Sequence, residues 1–405
     1  MKAMMRLKKS FGDLSIQDAA PPLQPVQPGE RIAALDVVRG FALFGVLLAY
    51  TLWNLGSPPE DTYSNADRIL NWVLSALVDT KFYTLFAFLF GLGFSIQLAR
   101  AEARGVSIVP VYCRRLLALL LIGLAHALLL RNGDILVPYA VMGFILLFFR
   151  NASNKVLAVG AIFGLVFPDL ARSAWDITGM PFPQRPEAAG LSYLAENYAW
   201  VRYWYSTAIV TWPASLPMFL FGLYMGRRRC FENIAAHRKG LWWAFVLGLG
   251  ISVLAYLSRE LLLTNPMAFF GRSLALRLLW SVHAWGLAAF YASFLLLLLQ
   301  RRPWQQWLAP LSAAGRMALT NYIMQAVIII PVCIGFNLFD RVTPSIGVLL
   351  ALAVWSVQVP VSAWWLRHFR FGPMEWIWRS LTYGRPQPIR MADKPTAAAG
   401  ALVPS

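Results

Sequence analysis

The chain has 405 residues, 58% of them hydrophobic and only 14% charged, with a formal net charge of +17 and a mean hydropathy of +0.55. Soluble domains carry about 25% charged residues and do not repeat apolar runs of about 20 residues, so the composition excludes a soluble enzyme, a disulfide scaffold and a disordered chain, and describes a membrane protein. The basic residues fall in clusters between apolar runs, the pattern of cytoplasmic loops, and no nucleic-acid partner is expected.

Residues 1–30 hold Lys2, Arg6, Lys8 and Lys9 but no apolar run ahead of a Pro/Gln-rich stretch. They read as a disordered cytoplasmic tail rather than a cleaved signal peptide. Spans are predicted near 40–56, 82–99, 115–130, 135–149, 156–171, 206–226, 240–263, 278–300, 317–339 and 345–366. Segments 66–78, 187–204 and 303–314 are mixed in character and rich in aromatics, as in helices that lie at the membrane interface or re-enter from it. The fold class is therefore all-α, a polytopic membrane helix bundle of about ten transmembrane helices. Residues 31–385 form one transmembrane domain, and 386–405 form a second disordered cytoplasmic tail. With the N-terminus inside, the inner segments carry 26 of the 36 Lys/Arg and eight of the 19 Asp/Glu, a balance of +18 against −1 outside. That asymmetry places both termini in the cytoplasm.

Leu35-Asp36-Val37-Val38-Arg39-Gly40 opens the first span. Asp36 and Arg39 are three apart, so on a helix they form a pair at the membrane boundary, as a ligand contact or a positive-inside anchor. Asn54, late in the same span, needs a partner in lipid. Asp79 and Lys81 start the second span at the outer face and require water, a pair or a cavity. Arg114-Arg115 open the third span, which carries His126 deep in an apolar run. That imidazole is open to three roles: general base, proton relay, or buried hydrogen-bonding group. The Asn132-Gly133 turn brings Asp134 back toward it, either to orient the ring or to cap the fourth span. Between 168 and 206 the longest outer connection carries Tyr198, Trp200 and Tyr203 to Tyr205, an aromatic belt or a functional loop. Arg272, Arg277 and His283 form a basic set entering the eighth span, suited to an anionic ligand or to snorkelling. Asn321 lies within the ninth span, and Glu375 and Arg379 face each other across one turn of a terminal helix. Cys113, Cys230 and Cys333 have unrelated spacings, so neither a disulfide framework nor a metal site is expected.

The opening LDVVRGFALFGVLLAY, KFYTLFAFLFGLGF, RRLLALLLIGLAH with RNGDIL, GRMALTNYIMQ and the closing GPMEWIWRSLTYG together resemble the YeiB family of bacterial multispanning inner-membrane proteins, domain of unknown function 418, over roughly residues 31–385. That family is distantly similar to the transmembrane acyltransferase superfamily, through the Leu-Asp-x-x-Arg-Gly element above all. The resemblance implies a multi-pass protein of the bacterial inner membrane that moves an acyl group from cytoplasmic acyl-CoA to an extracytoplasmic glycan, lipid or small molecule. No resident cofactor is expected, acyl-CoA being a substrate, and the partners are the lipid bilayer, the donor and the acceptor, with homo-oligomerisation left open. The chain lacks the histidine that those acyltransferases carry in or just after the first span, where it offers Asn54. His126, oriented by Asp134, is the substitute base. Asp36, Arg39, Asn54, Lys81, Arg114, Arg115, Arg272, Arg277, His283 and Asn321 are the candidate substrate-binding residues. The alternative is a transporter or lipid-handling protein of the same topology, and a third reading is a membrane partner without a substrate site.

Overall fold

The structure is a computed structural model that describes residues 32–131, 133–177, 192–231, 234–264 and 272–391. The N-terminal tail, the proline-rich part of the 168–206 connection and residues 392–405 lie outside the described residues. Those described form helices, with no strand beyond a single bridge between Phe369 and Arg390. The helices are α1 Ala33–Trp53, α2 Asn65–Leu77, α3 Lys81–Ala103, α4 Val109–Leu129, α5 Leu136–Phe148, α6 Asn154–Ile177 and α7 Tyr193–Ser206, then α8 Leu216–Arg227, α9 Arg238–Thr264, α10 Arg272–Leu298, α11 Ala309–Arg316, α12 Ala318–Gly335, α13 Pro344–His368 and α14 Pro373–Tyr383.

Nine stretches among the described residues are long and apolar enough to cross a membrane, counting α2 with α3 as one and extending α8 back to Ala208; α5, at 13 residues, is a tenth and shorter apolar helix. This is a multi-pass membrane protein. The packing of α3 against α8 fixes what α5 does. Phe90 stacks on Phe219 at 4.7 Å, and further along both helices Ser95 abuts Gly226. The two helices therefore run parallel, which requires an odd number of crossings between them, and α4, α5 and α6 supply three. Arg227 closes the return by donating to the carbonyls of Phe149, Arg150 and Ala152 just after α5, satisfying the open end of that short helix.

Helix α1 is the hub and is largely buried, whereas α6 is largely exposed. It is held by α11, whose approach is so close that a methyl on Gly315 would land on the Asp36 carbonyl oxygen, and one on Gly40 on that of Leu311. The peripheral helices α6 and α9 turn Val159, Ile162, Leu254 and Leu261 outward, as helices bathed in lipid do.

The second span, α3, starts next to Asp79 as expected and follows α2 across a break at residues 78–80, where Thr80 has φ 66°. Lys81 is fully buried at the break. A broken helix leaves carbonyls without intrahelical donors, which hydrocarbon cannot supply. Here Lys81 Nζ donates to Ser75 O at 2.9 Å, His283 Nε2 to Ala76 O at 2.9 Å and the Tyr291 hydroxyl to Leu77 O at 2.8 Å. Nδ1 of the same ring meets Ser252 Oγ at 2.7 Å and the Ser252 carbonyl at 3.1 Å. Lys81 also lies 3.7 Å from the centre of the Trp280 ring.

Helix α14 docks beneath the bundle. Trp378 Nε1 donates to Arg115 O at 2.8 Å while the Arg115 guanidinium lies 3.7 Å over the same indole. Residues 386–391, assigned from sequence to a tail, instead fold back: Arg370 N donates to Ile389 O at 2.8 Å and Trp376 Nε1 to Gln387 O at 2.7 Å.

Candidate functional site

Between α1, α3, α4, α5, α12 and α14 lies a cavity of about 330 Å³. Its lower wall is basic, with Arg39, Arg100, Arg115, Arg316, Arg370 and Arg379 among the lining residues and only Asp36 and Glu375 opposing them. Both carboxylates are already engaged. Asp36 Oδ1 accepts from Arg39 at 2.6 Å. Glu375 accepts from Leu319 N at 2.7 Å, Thr320 N at 3.0 Å and Thr320 Oγ1 at 2.6 Å, so it caps α12 rather than neutralising the arginines. Burial pushes the Glu375 carboxyl above the usual carboxylate range, against those hydrogen bonds. Further up, the walls are apolar, from Leu43, Phe86, Leu89, Phe90 and Leu119 to Ile135 and Tyr139. A chamber that is guanidinium-rich at one end and greasy at the other suits an amphiphile with an anionic head.

The roof of the cavity is Tyr322. Its hydroxyl donates to Asp134 Oδ1 at 3.3 Å and accepts from Ile135 N at 3.2 Å. His126 Nδ1 approaches the same Asp134 oxygen at 3.1 Å, the two side chains being 3% and 2% exposed. The approach is off the hydrogen-bond direction, so both imidazole nitrogens are left without a hydrogen-bond partner. The rings of His126 and Tyr322 are 5.0 Å apart. Asp134 Oδ2 accepts from Val137 N at 2.8 Å, so this carboxylate both caps α5 and stands beside the histidine. Beyond this group, α7 covers α4: Asn197 Nδ2 donates to Ala127 O at 2.8 Å, and the Tyr193 hydroxyl donates to Leu130 O.

The structure gathers Asp36, Arg39 and Arg115 at the cavity, with His126 and Asp134 above it. Arg114 is absent from the lining and is directed toward Gly384. Asn54 packs against Gly133, beside the turn that carries Asp134. Lys81 and His283 are tied to the broken span, as described. Arg272 Nη2 donates to Leu262 O at 2.8 Å, closing the end of α9, and Arg277 Nη2 donates to Ser173 Oγ at 3.1 Å. The basic set of the eighth span is thus divided among separate structural partners. Asn321 joins a polar seam between α12 and α13, donating to Ser362 Oγ at 2.9 Å while its carbonyl accepts from Gln358 Nε2 at 2.9 Å. Arg100 and Arg316 carried only a topological signal in the sequence. Tyr322 had no signal of its own, since its partner Asp134 is 188 residues away.

Fold and cavity define a multi-pass helical membrane protein with an arginine-lined internal chamber. A family model described as "Protein of unknown function (DUF418)" matches residues 225–385. The chain is 35% identical to the uncharacterized protein YxaH of Bacillus subtilis (strain 168), over 92% of this chain and 99% of that protein. It is 34% identical to an uncharacterized 39.9 kDa protein of Bacillus acidopullulyticus, encoded in the amylase 3' region, over 91% and 98%. It is 27% identical to the uncharacterized protein YeiB of Escherichia coli (strain K12), over 87% and 96%. The protein belongs to this YeiB-like DUF418 family.

Proposed function

We propose that the protein is an acyltransferase of the bacterial inner membrane, taking an acyl group from cytoplasmic acyl-CoA and passing it to a hydroxyl or amine of a glycan, lipid or small molecule on the outer side. The observation that carries this reading is the chamber running from the arginines at the base of α1, α3 and α4 to the Tyr322, Asp134 and His126 group. Arg39, Arg100, Arg115 and Arg316 would hold the donor's phosphates, since guanidinium pairs bidentately with phosphate. The acyl chain would lie along Leu43, Phe86 and Leu89. His126, with an uncommitted Nε2, would take the acceptor's proton as its oxygen or nitrogen attacks the thioester carbonyl, and Asp134 would stabilise the imidazolium.

Transport, the alternative, would draw on the broken span of α2 and α3, because discontinuous helices often bind ions at their open ends. Those ends are filled by Lys81, His283 and Tyr291 of the chain itself. The test is purified protein in lipid nanodiscs, given short- and medium-chain acyl-CoA with a panel of neutral sugars, glycerol and phospholipids as acceptors. Binding of acyl-CoA and acceptor-dependent release of free CoA thiol are expected. An absence of both, for every donor and acceptor, would overturn the proposal.

A further inference from the structure

We infer that Tyr322 is the general acid that protonates the departing thiol, an assignment that rests on the acyl-transfer reading. Among the described residues it is the one polar side chain that both lines the cavity and contacts the Asp134 and His126 pair. His126 and Asp134 do not themselves line the cavity. A donor in the chamber therefore meets the phenol first, with the carboxylate directly behind it. The two contacts converge on one atom: Asp134 Oδ1 lies 3.3 Å from the Tyr322 hydroxyl and 3.1 Å from His126 Nδ1.

The chemistry needs such a group. Attack by an acceptor hydroxyl forms a carbon–oxygen bond and gives its proton to His126 Nε2. Breaking the carbon–sulfur bond then leaves the electron pair on sulfur, in an apolar chamber where a bare thiolate is costly. Tyr322 O–H, turned from Asp134 toward the cavity, protonates the sulfur as the bond breaks, and the phenolate recovers a proton from the imidazolium once a small ring rotation brings Nδ1–H onto Asp134 Oδ1. Acceptor hydroxyl plus thioester give ester plus thiol, and the enzyme ends neutral, with the imidazole in its other tautomer, which resets by exchange with water.

The leaving group provides the test. With acyl-CoA, Tyr322→Phe should lower kcat by about 10² or more. With the corresponding S-acyl nitrothiophenol, whose thiol is acidic enough to leave unprotonated, the loss should stay under about tenfold, because the step no longer needs an acid. Equal losses with both donors, or none with either, would show that Tyr322 only shapes the cavity. If the parent transfers no acyl group from any donor, the acyl-transfer reading itself fails and the assignment goes with it. As a variant that keeps the fold, 3-fluorotyrosine at 322 preserves the shape and the acidic hydroxyl, and should hold acyl-CoA turnover within a few fold of the parent. A loss with acyl-CoA as large as that expected for phenylalanine would overturn the assignment even if the phenylalanine variant failed to fold.

Discussion

At the residue scale, chemistry and packing part company at His126. Its nitrogens are buried and have no hydrogen-bond partner, a condition that a purely structural histidine would not need. His126→Gln should insert normally and melt near the parent, yet lose acyl transfer by roughly 10²–10⁴ in rate, because an amide takes up no proton. Retained turnover within a few fold would make the histidine a packing residue. Asp134→Asn keeps an acceptor for the Val137 amide, so the fold should hold, and the rate loss should be smaller than for His126→Gln in the same assay. Arg39→Ala tests the cavity floor. It removes a phosphate contact and leaves buried Asp36 without its partner, so acyl-CoA affinity should fall by roughly 10- to 100-fold, the equivalent of about 1.5–3 kcal/mol for a charge-assisted hydrogen bond. Unchanged binding by calorimetry would place the donor elsewhere. The Asp36 and Arg39 pair was legible because three residues along a helix is one face, and His126 with Asp134 because a tight turn joins them. Tyr322 was not legible, since only tertiary packing carries α12 to the α5 end of that turn.

At the element scale, α14 closes the cavity floor and depends on one carboxyl. Glu375 bonds the first amides of α12, and its folded-state pKa is raised by burial. A group raised on folding contributes stability that is fully present below its unfolded pKa and is lost as pH rises through the folded one. The parent's melting temperature, taken relative to that of Glu375→Gln, should therefore fall over the pH range above the ordinary glutamate value of about 4.3. A difference that stays constant across that range would mean the carboxyl titrates alike in both states. The broken second span shows where sequence reading stops. Residues 66–78 and 82–99 were legible as a re-entrant or interfacial helix and a crossing, because their apolar patterns differ. That the carbonyls at the break between them are satisfied from α10 was not legible, since only tertiary packing brings His283 and Tyr291 there. Lys81, which the sequence requires to sit in water, in a pair or in a cavity, is fully buried against Ser75 O and the Trp280 ring instead of facing a substrate.

At the scale of the whole molecule, charge asymmetry predicts the orientation, and helix packing independently fixes the parity of the crossings. The short α5 is apolar enough to be read from sequence as a crossing, and the parallel run of α3 and α8 supplies the independent reason that it returns the chain. With Cys113, Cys230 and Cys333 replaced by serine, Glu60→Cys should react with an impermeant maleimide in intact cells and Arg385→Cys only after permeabilisation. Labelling of both from outside would refute the arrangement. The interrupted second span also bears on how the protein is made. His283 and Tyr291 leave the ribosome 207 and 214 residues after the carbonyls of Ala76 and Leu77 that they satisfy. Those two carbonyls therefore gain their partners only after α10 has been synthesised, so the junction of α2 and α3, among the first parts translated, is among the last to be completed.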